Sequence, residues 1–159
     1  MDNKKELIVS DEILNKNGID KVTLEKNLKV GEKTTLISTL DIEYVEITLD
    51  KVVLKMPVGP KTWQPYGLLH GGASVVLAET AASVATAVNI DNEKYAAVGM
   101  EINANHIRSK RTGFVTAIAT PLHKGRTSMI WDIKITDEDG KLICVSRCTM
   151  AVISKATLK

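Results

Sequence analysis

A histidine, a pair of glycines and a glutamate near the middle of the chain are the residues best suited to chemistry. His70 directly precedes Gly71-Gly72, and Glu79 lies eight residues beyond Gly71 in a run without basic residues. The first N–H groups of a helix have no intrahelical partner and carry partial positive charge. The N–H of Gly71 would therefore suit the oxygen of a reacting carbonyl group. The alternative is that Gly71-Gly72 only permits close packing of a helix on a sheet.

Glu79 is a charged residue among apolar and small side chains. A carboxylate in such surroundings costs stability unless it is paired, hydrogen-bonded or directed into a cavity, and in a cavity it suits a general base. The alternative is a carboxylate at a helix edge that points to solvent. Two helical turns, about 12 Å, separate Glu79 from Gly71. That distance is long for one reacting carbonyl, so the pair fits better if the site lies between two subunits.

Gln64 and His70 are weaker candidates that precede the same helix. A lone histidine is more often structural than catalytic, and a glutamine before a proline is typical of a loop. Together with Gly71 and Glu79, however, they supply an amide, an imidazole, a backbone donor and a carboxylate, a set suited to acyl transfer. The sequence contains no GxSxG motif, so a serine nucleophile is not predicted.

One long helix is predicted to position these groups. Residues 71–88, GGASVVLAETAASVATAV, are apolar or small on nearly every face, which is typical of a helix surrounded by protein. The run is shorter than a membrane span and contains Glu79, which argues against a transmembrane helix. Strands are predicted over residues 41–46, 51–58, 96–106, 113–121, 128–136 and 141–153. Short turns such as Asp139-Gly140 favour antiparallel pairing, so the predicted fold class is α+β.

Residues 1–40 are predicted to be an N-terminal extension of a domain that spans residues 41–159. The extension is polar, with helix-like pieces at 11–17 and 20–28, and we expect a covering helix or an oligomer contact. A net charge of +2 and 4% aromatic residues argue against nucleic-acid binding.

Neither a signal peptide nor a membrane span is predicted. Cys144 and Cys148 stand four residues apart on one predicted strand, about 13 Å from each other and beyond disulfide reach. Two cysteines without a suitably placed histidine do not make a zinc site. We therefore expect a cytoplasmic protein with reduced cysteines and without a metal.

Residues 64–83, QPYGLLHGGASVVLAETAAS, carry a QPxGxxHGG…AE pattern that closely resembles the hotdog-fold acyl-CoA thioesterases. The resemblance is to the 4-hydroxybenzoyl-CoA and phenylacetate-degradation type, in particular to the enterobactin-proofreading and 1,4-dihydroxy-2-naphthoyl-CoA thioesterases. It extends over residues 56–153. It implies an antiparallel sheet wrapped around a long central helix, and hydrolysis of an aromatic or medium-chain acyl-CoA to free acid and coenzyme A.

The resemblance also implies a role for each residue of the motif. Glu79 corresponds to the family's carboxylate, which acts as nucleophile or as general base. Gly71 corresponds to the residue whose N–H polarises the thioester carbonyl. Gln64 and His70 correspond to the residues that orient the thioester, and Ser83 to a hydroxyl that positions water or the acyl group.

Further positions correspond to residues that bind the substrate. His106, in NANHIRS, matches a residue of the acyl pocket, and Gly72 lies beside the oxyanion donor. Ile107 and Ser109 replace the His and Pro that are common in relatives, so the acyl preference stays open. Two basic segments resemble those that bind the phosphates of coenzyme A, and they contain Arg108, Ser109, Lys110, His123, Gly125, Arg126 and Thr127.

Arginine and lysine beside turn N–H groups suit phosphate, and the alternative for these segments is solvated hairpin tips. Coenzyme A would enter as part of the substrate, without a further cofactor. The resemblance implies a homodimer that pairs edge to edge and assembles into a homotetramer. Two other functions remain as alternatives: an acyl-CoA-binding module without catalysis, and a dehydratase that acts on 3-hydroxyacyl thioesters.

Overall fold

Seven strands of the described residues form one sheet, and a two-stranded hairpin lies apart from it. The computed structural model describes residues 7–17, 21 and 35–157. The strands of the sheet are β1 (Ile8–Val9), β2 (Glu43–Ile47), β3 (Val52–Pro57), β6 (Tyr95–His106), β7 (Phe114–Lys124), β8 (Ser128–Asp137) and β9 (Leu142–Ser154). Their order is β1-β2-β3-β7-β8-β9-β6, with β1 parallel to β2 and every other pair antiparallel. The hairpin consists of β4 (Trp63–Gln64) and β5 (Leu68–Leu69).

The α-helices of the described residues are α1 (Asp11–Asn17), α2 (Leu36–Thr39) and α3 (Gly71–Ala87). Helix α3 packs on the sheet face formed by β3, β6, β7, β8 and β9. Strand β8 alternates buried and less buried residues, and its inward side chains include Trp131, Ile133 and Ile135. Small residues of α3, such as Ala78 and Ala81, let the helix approach these large side chains closely. The α+β prediction, with a largely antiparallel sheet against one long helix, is confirmed.

Helix α3 is not covered by its own chain on every side, which corrects the expectation of a helix surrounded by protein. Its buried residues are Ser74, Leu77, Ala78, Ala81, Ala82, Ala85 and Thr86. The opposite side is only partly buried and carries Val76, Glu79, Thr80, Ser83, Val84 and Ala87. We call these the covered side and the open side of α3. Both sides carry apolar residues, so the sequence pattern did not distinguish them.

Most predicted boundaries are close to those observed, and β7 is the exception. The strand continues to Lys124, so His123 lies in the strand and the predicted turn begins at Gly125. Pro121 did not end the strand because the register with β8 shifts between Pro121 and His123. Strand β3 pairs with β7 only as far as Ala119, so the proline adjoins a free edge on that side.

The described parts of residues 1–40, the predicted N-terminal extension, pack on the rest of the chain. Ile13 of α1 is fully buried, and β1 extends the sheet beside β2. The helix predicted over residues 20–28 lies outside the described residues, apart from the single position 21. No helix of the described segments is long and apolar enough to cross a bilayer.

Candidate active site

His70 caps the amino end of α3 with both its backbone and its side chain. Its carbonyl accepts a hydrogen bond from the N–H of Ala73 at 3.0 Å. Its Nδ1 accepts one from the N–H of Gly72 at 2.8 Å. An acceptor Nδ1 requires the neutral tautomer whose proton lies on Nε2. The Nε2–H of His70 is thus left as a donor at the start of the helix.

The absence of side chains at Gly71 and Gly72 leaves space for the imidazole rings of His106 and His70. A Cβ added to Gly72 would lie 2.9 Å from His70 Nδ1, and one added to Gly71 would lie 2.5 Å from Nε2 of His106. Any side chain at position 71 would therefore collide with the imidazole of His106. The N–H of Gly71 donates to no acceptor among the residues that the structure describes. The amino end of α3 thus presents a free N–H beside two imidazoles.

Gln64 is held by the turn between β4 and β5. Its Oε1 accepts a hydrogen bond from the N–H of Tyr66 at 2.6 Å, and the N–H of Gly67 donates to its carbonyl at 2.9 Å. Gly67 has φ 69°, a left-handed conformation that favours glycine in this turn. Because the amide oxygen is engaged, the NH₂ group of Gln64 is the part left for a ligand.

The loop after β6 fixes this hairpin to the sheet. The indole N–H of Trp63 donates to the carbonyl of Arg111 at 2.7 Å, and the N–H of Leu69 donates to that of Lys110 at 2.8 Å. We call the residues assembled at this end of α3, namely Gln64, His70, Gly71 and His106, the donor half of the site.

Glu79 lies on the open side of α3 with its carboxylate against Gly99. A Cβ added to Gly99 would lie 2.5 Å from Oε1 of Glu79, so the carboxylate packs directly on the backbone of β6. The register between β6 and β9 shifts between Gly99 and Glu101. The Glu79 carboxylate has no hydrogen bond or ion pair with any described residue. Glu79 is half-buried. Its position is therefore intermediate between the two alternatives from the sequence, a carboxylate in a cavity and a carboxylate that points to solvent.

A cavity of about 350 Å³ opens beside this carboxylate. Its lining residues are Leu36, Ile37, Val76, Glu79, Thr80, Ser83 and Val84. Thr80 uses its hydroxyl to donate to the carbonyl of Val76 at 2.7 Å. The hydroxyl of Ser83 has no partner among the described residues. We call Glu79, Ser83 and this cavity the carboxylate half of the site.

The two halves lie apart within one chain. Gly71 contacts His106, whereas Glu79 contacts Gly99, seven residues earlier on β6 and about 23 Å away along a strand. Along α3 the separation from Gly71 to Glu79 is about 12 Å. One carbonyl group therefore does not reach both the Gly71 N–H and the Glu79 carboxylate of the same chain.

The two basic segments also lie apart. The N–H of Arg108 donates to the carbonyl of Ile143, whereas the carbonyl of Thr127 accepts from the N–H of Val152. Ile143 and Val152 are nine residues apart on β9, about 30 Å along the strand. Within one chain the segments are thus at opposite ends of the sheet.

The charged residues of the two segments differ in their partners. Lys110 pairs with Glu138, and this pair holds the pKa of the Glu138 carboxyl below its usual range. Lys124 pairs with Asp50. Arg108 and Arg126 are exposed and make no ion pair with a described carboxylate. The arginines are thus the cations best available to a phosphate. Gly125 donates its N–H to the carbonyl of Ser128, while Ser109, His123 and Thr127 are exposed beside them.

Two features of the site were missed in the sequence. Gly99 stands inside a predicted strand, and an isolated glycine there is a known sign of a bulge or of close backbone approach. Leu36 and Ile37 lie in the predicted N-terminal extension, where no chemistry was expected. The sequence offered only a weak signal for them, two adjacent aliphatic residues in a polar segment.

In sequence and in structure, the chain is similar to known thioesterases and acyl-CoA hydrolases. Residues 66–144 match the thioesterase superfamily. The 1,4-dihydroxy-2-naphthoyl-CoA hydrolase of Listeria monocytogenes is 50% identical over 120 residues, which are 76% of this chain and 97% of that protein. The enzyme of the same name from Escherichia coli is 47% identical over 133 residues, 84% of this chain and 96% of that protein. The crystal structure of a mutant thioesterase from Pseudomonas aeruginosa has a TM-score of 0.78 and 43% identity, and covers 81% of this chain and 93% of that chain.

Proposed function

The chain belongs to the thioesterase superfamily, has the hotdog fold and is a thioester hydrolase, and we propose that its substrate is an aromatic or medium-chain acyl-CoA. Two relatives that cover most of this chain are named for hydrolysis of 1,4-dihydroxy-2-naphthoyl-CoA, an aromatic thioester. The mostly apolar cavity beside Glu79 supports an acyl group of this kind. Coenzyme A enters as part of the substrate, and the proposed chemistry uses no further cofactor.

The observation that carries the proposal is the carboxylate of Glu79, which has no partner among the described residues and lies at the edge of an apolar cavity. A carboxylate that no hydrogen bond or cation of the protein engages keeps its oxygen atoms free for water or for the substrate. It acts as a general base that takes a proton from water, or as a nucleophile that attacks the carbonyl carbon itself. In both routes the thioester C–S bond breaks, coenzyme A leaves as the thiolate, and water supplies the hydroxyl of the free acid.

The donor half supplies hydrogen-bond donors with partial positive charge, whereas the carboxylate half supplies a negative charge. The free N–H of Gly71 donates a hydrogen bond to the carbonyl oxygen and stabilises the negative charge that develops on it. The Nε2–H of His70 and the NH₂ of Gln64 are donors that orient the thioester. His106 lies over Gly71, at the same end of the helix. Ser83 offers its hydroxyl to water or to the acyl group, and Gly72 keeps the turn open beside them.

The complete site in this proposal lies between two subunits. Strand β6 is at the edge of the sheet, and its exposed residues include Val98 and Met100. Antiparallel pairing of β6 with a second copy that sets Gly99 opposite His106 would bring the carboxylate half of one subunit to the donor half of the other. The resemblance to the family favours such a homodimer, and a homotetramer of two dimers.

The same pairing supports a composite site for coenzyme A. It brings the end of β6 that carries Arg108, Ser109 and Lys110 toward the end of the partner's sheet that carries the turn with Gly125, Arg126 and Thr127. His123 lies beside that turn. The exposed arginines would bind the phosphates, so affinity for acyl-CoA is expected to fall with salt.

The substitution Glu79→Gln tests the proposal. It keeps the shape of the side chain and removes the charge, so we expect kcat to fall at least ~10²-fold while folding and acyl-CoA binding are preserved. Release of free thiol from benzoyl-CoA measures turnover, and thermal unfolding measures folding. Glu93→Gln, an exposed carboxylate beyond α3, is the matched control and should keep full activity.

Three outcomes contradict the proposal. Near-normal turnover by Glu79→Gln would remove Glu79 from the chemistry. An enoyl product from a 3-hydroxyacyl-CoA, without thiol release, would indicate the dehydratase alternative. Measurable acyl-CoA binding with turnover no faster than background would indicate the binding module.

A further inference from the structure

The cavity beside Glu79 has walls from two distant parts of the chain. Helix α3 supplies one wall, and Leu36 and Ile37 of α2 supply the other. Residues 36 and 37 precede the segment that matches the thioesterase superfamily, which begins at residue 66. The volume of about 350 Å³ is near the lower end of the range for small-molecule sites, and suits an acyl group rather than a whole acyl-CoA.

Helix α2 is fixed in position by its surroundings. Thr35 caps it, with its Oγ1 accepting from the N–H of Ser38. The following residues Leu40 and Ile42 are buried in the core. Between them, Asp41 pairs with Lys61 at 2.7 Å. Because α2 is anchored in this way, the distance between α2 and α3 is fixed. A pocket needs such a fixed width to discriminate between acyl groups of different size.

Leu36 is anchored in this way and yet remains 54% exposed. Covering an aliphatic side chain of this size with an apolar group is favourable by about 25 cal/mol for each Å² removed from water. Its neighbours in the cavity are the apolar side chains of Val76 and Val84, with the Glu79 carboxylate beside them. An apolar, uncharged acyl group fits these surroundings, because an acidic one would be repelled by Glu79.

We propose that Leu36 and Ile37 are specificity-determining residues, which form the outer wall of the acyl pocket and favour apolar acyl groups large enough to reach α2. The inference rests on the proposed function, since it concerns the acyl group of that substrate. We expect an acetyl group to be too short to reach α2, and longer groups such as hexanoyl, decanoyl and benzoyl to contact the Leu36 side chain.

Two substitutions of Leu36 test this inference. Leu36→Ala removes the contact, and Leu36→Asp places a second carboxylate in the wall; since Leu36 is exposed, neither should prevent folding. We expect the ratio of kcat/KM for decanoyl-CoA to that for acetyl-CoA to fall about tenfold with Leu36→Asp and less with Leu36→Ala. Ile8→Asp is the matched control, because Ile8 is 59% exposed on β1 and lies outside the pocket. It should leave the ratio unchanged.

The outcomes separate this inference from the proposed function. If both Leu36 variants keep the ratio of the unsubstituted protein, or lose the same factor for every acyl group, the inference is wrong while the hydrolase function stands. A changed oligomeric state with an unchanged ratio, measured by light scattering, would mean that a second subunit covers Leu36, which also overturns the inference. If the unsubstituted protein releases thiol from no acyl-CoA of the series, the proposed function and the inference fail together.

Discussion

The covered and open sides of helix α3 differ in how their polar groups are treated. On the covered side, the buried hydroxyl of Thr86 accepts a hydrogen bond from the indole N–H of Trp131 at 2.8 Å and donates to the carbonyl of Ala82 at 2.9 Å. On the open side, the hydroxyl of Thr80 donates to the carbonyl of Val76, but neither the carboxylate of Glu79 nor the hydroxyl of Ser83 has a partner among the described residues.

We infer from this difference that the covered side serves folding and that the open side serves the proposed reaction. A buried polar group without a partner costs free energy, so a folding surface satisfies its polar groups. A surface that leaves polar groups free beside a cavity keeps them for a ligand. We therefore expect substitutions on the covered side to lower stability, and substitutions on the open side to lower activity while the fold is kept.

Adjacent residues on the two sides give the largest expected difference. Leu77 is fully buried on the covered side, whereas Val76 is half-buried in the cavity wall. Leu77→Ala removes buried methyl groups and leaves a void, which should lower the free energy of unfolding by about 2–5 kcal/mol. Val76→Ala should cost about 1 kcal/mol or less. Urea unfolding of the two variants measures this, and equal losses would remove the distinction between the sides.

The hydroxyl groups of the two sides provide a smaller test. Thr86→Val keeps the shape of the side chain and leaves the buried indole N–H of Trp131 without an acceptor, which should cost about 1–3 kcal/mol of stability. Ser83→Ala should leave stability nearly unchanged and lower kcat by up to about tenfold, the value of one hydrogen bond. The reverse result, with Ser83→Ala unstable and Thr86→Val inactive but stable, would contradict the assignment of the sides.

Much of the fold could be predicted because its signals are local. Helix α3 was predicted over residues 71–88 from its composition and is observed over Gly71–Ala87. The turn at Asp139-Gly140 was predicted from residue type, and Gly140 has the left-handed φ of 77° that such a turn uses. The motif residues Gln64, His70, Gly71 and Glu79 were likewise visible, since they lie close together along the chain.

Contacts between distant residues could not be predicted in this way. The imidazole of His106 lies over Gly71 only because the end of β6 passes the start of α3, and this depends on strand order. The opposite positions of Arg108 and Arg126 in the sheet have the same cause. Which side of α3 is covered also depends on the sheet, because apolar residues such as Val76 and Leu77 occur on both sides.

The smallest expected effect is a loss of stability at alkaline pH, and it concerns the part of β9 that packs beneath the covered side of α3. Cys148 is fully buried on the face of β9 that packs toward α3. Burial raises the pKa of its thiol from the ordinary 9.0 to about 12, and the charges of Glu79 and Glu101 add to this effect. The unfolded chain therefore loses the thiol proton from about pH 9 upward while the folded protein keeps it, so the stabilisation is complete below that pH and is lost toward pH ~12.

We expect urea unfolding to show about 1 kcal/mol less stability at pH 10 than at pH 8 from this thiol. Cys148→Ala should weaken the pH dependence by that amount, since other alkaline groups titrate equally in both proteins. An identical pH dependence in the two proteins would mean that the thiol is hydrated, and that the layer beneath α3 is as open as its other side.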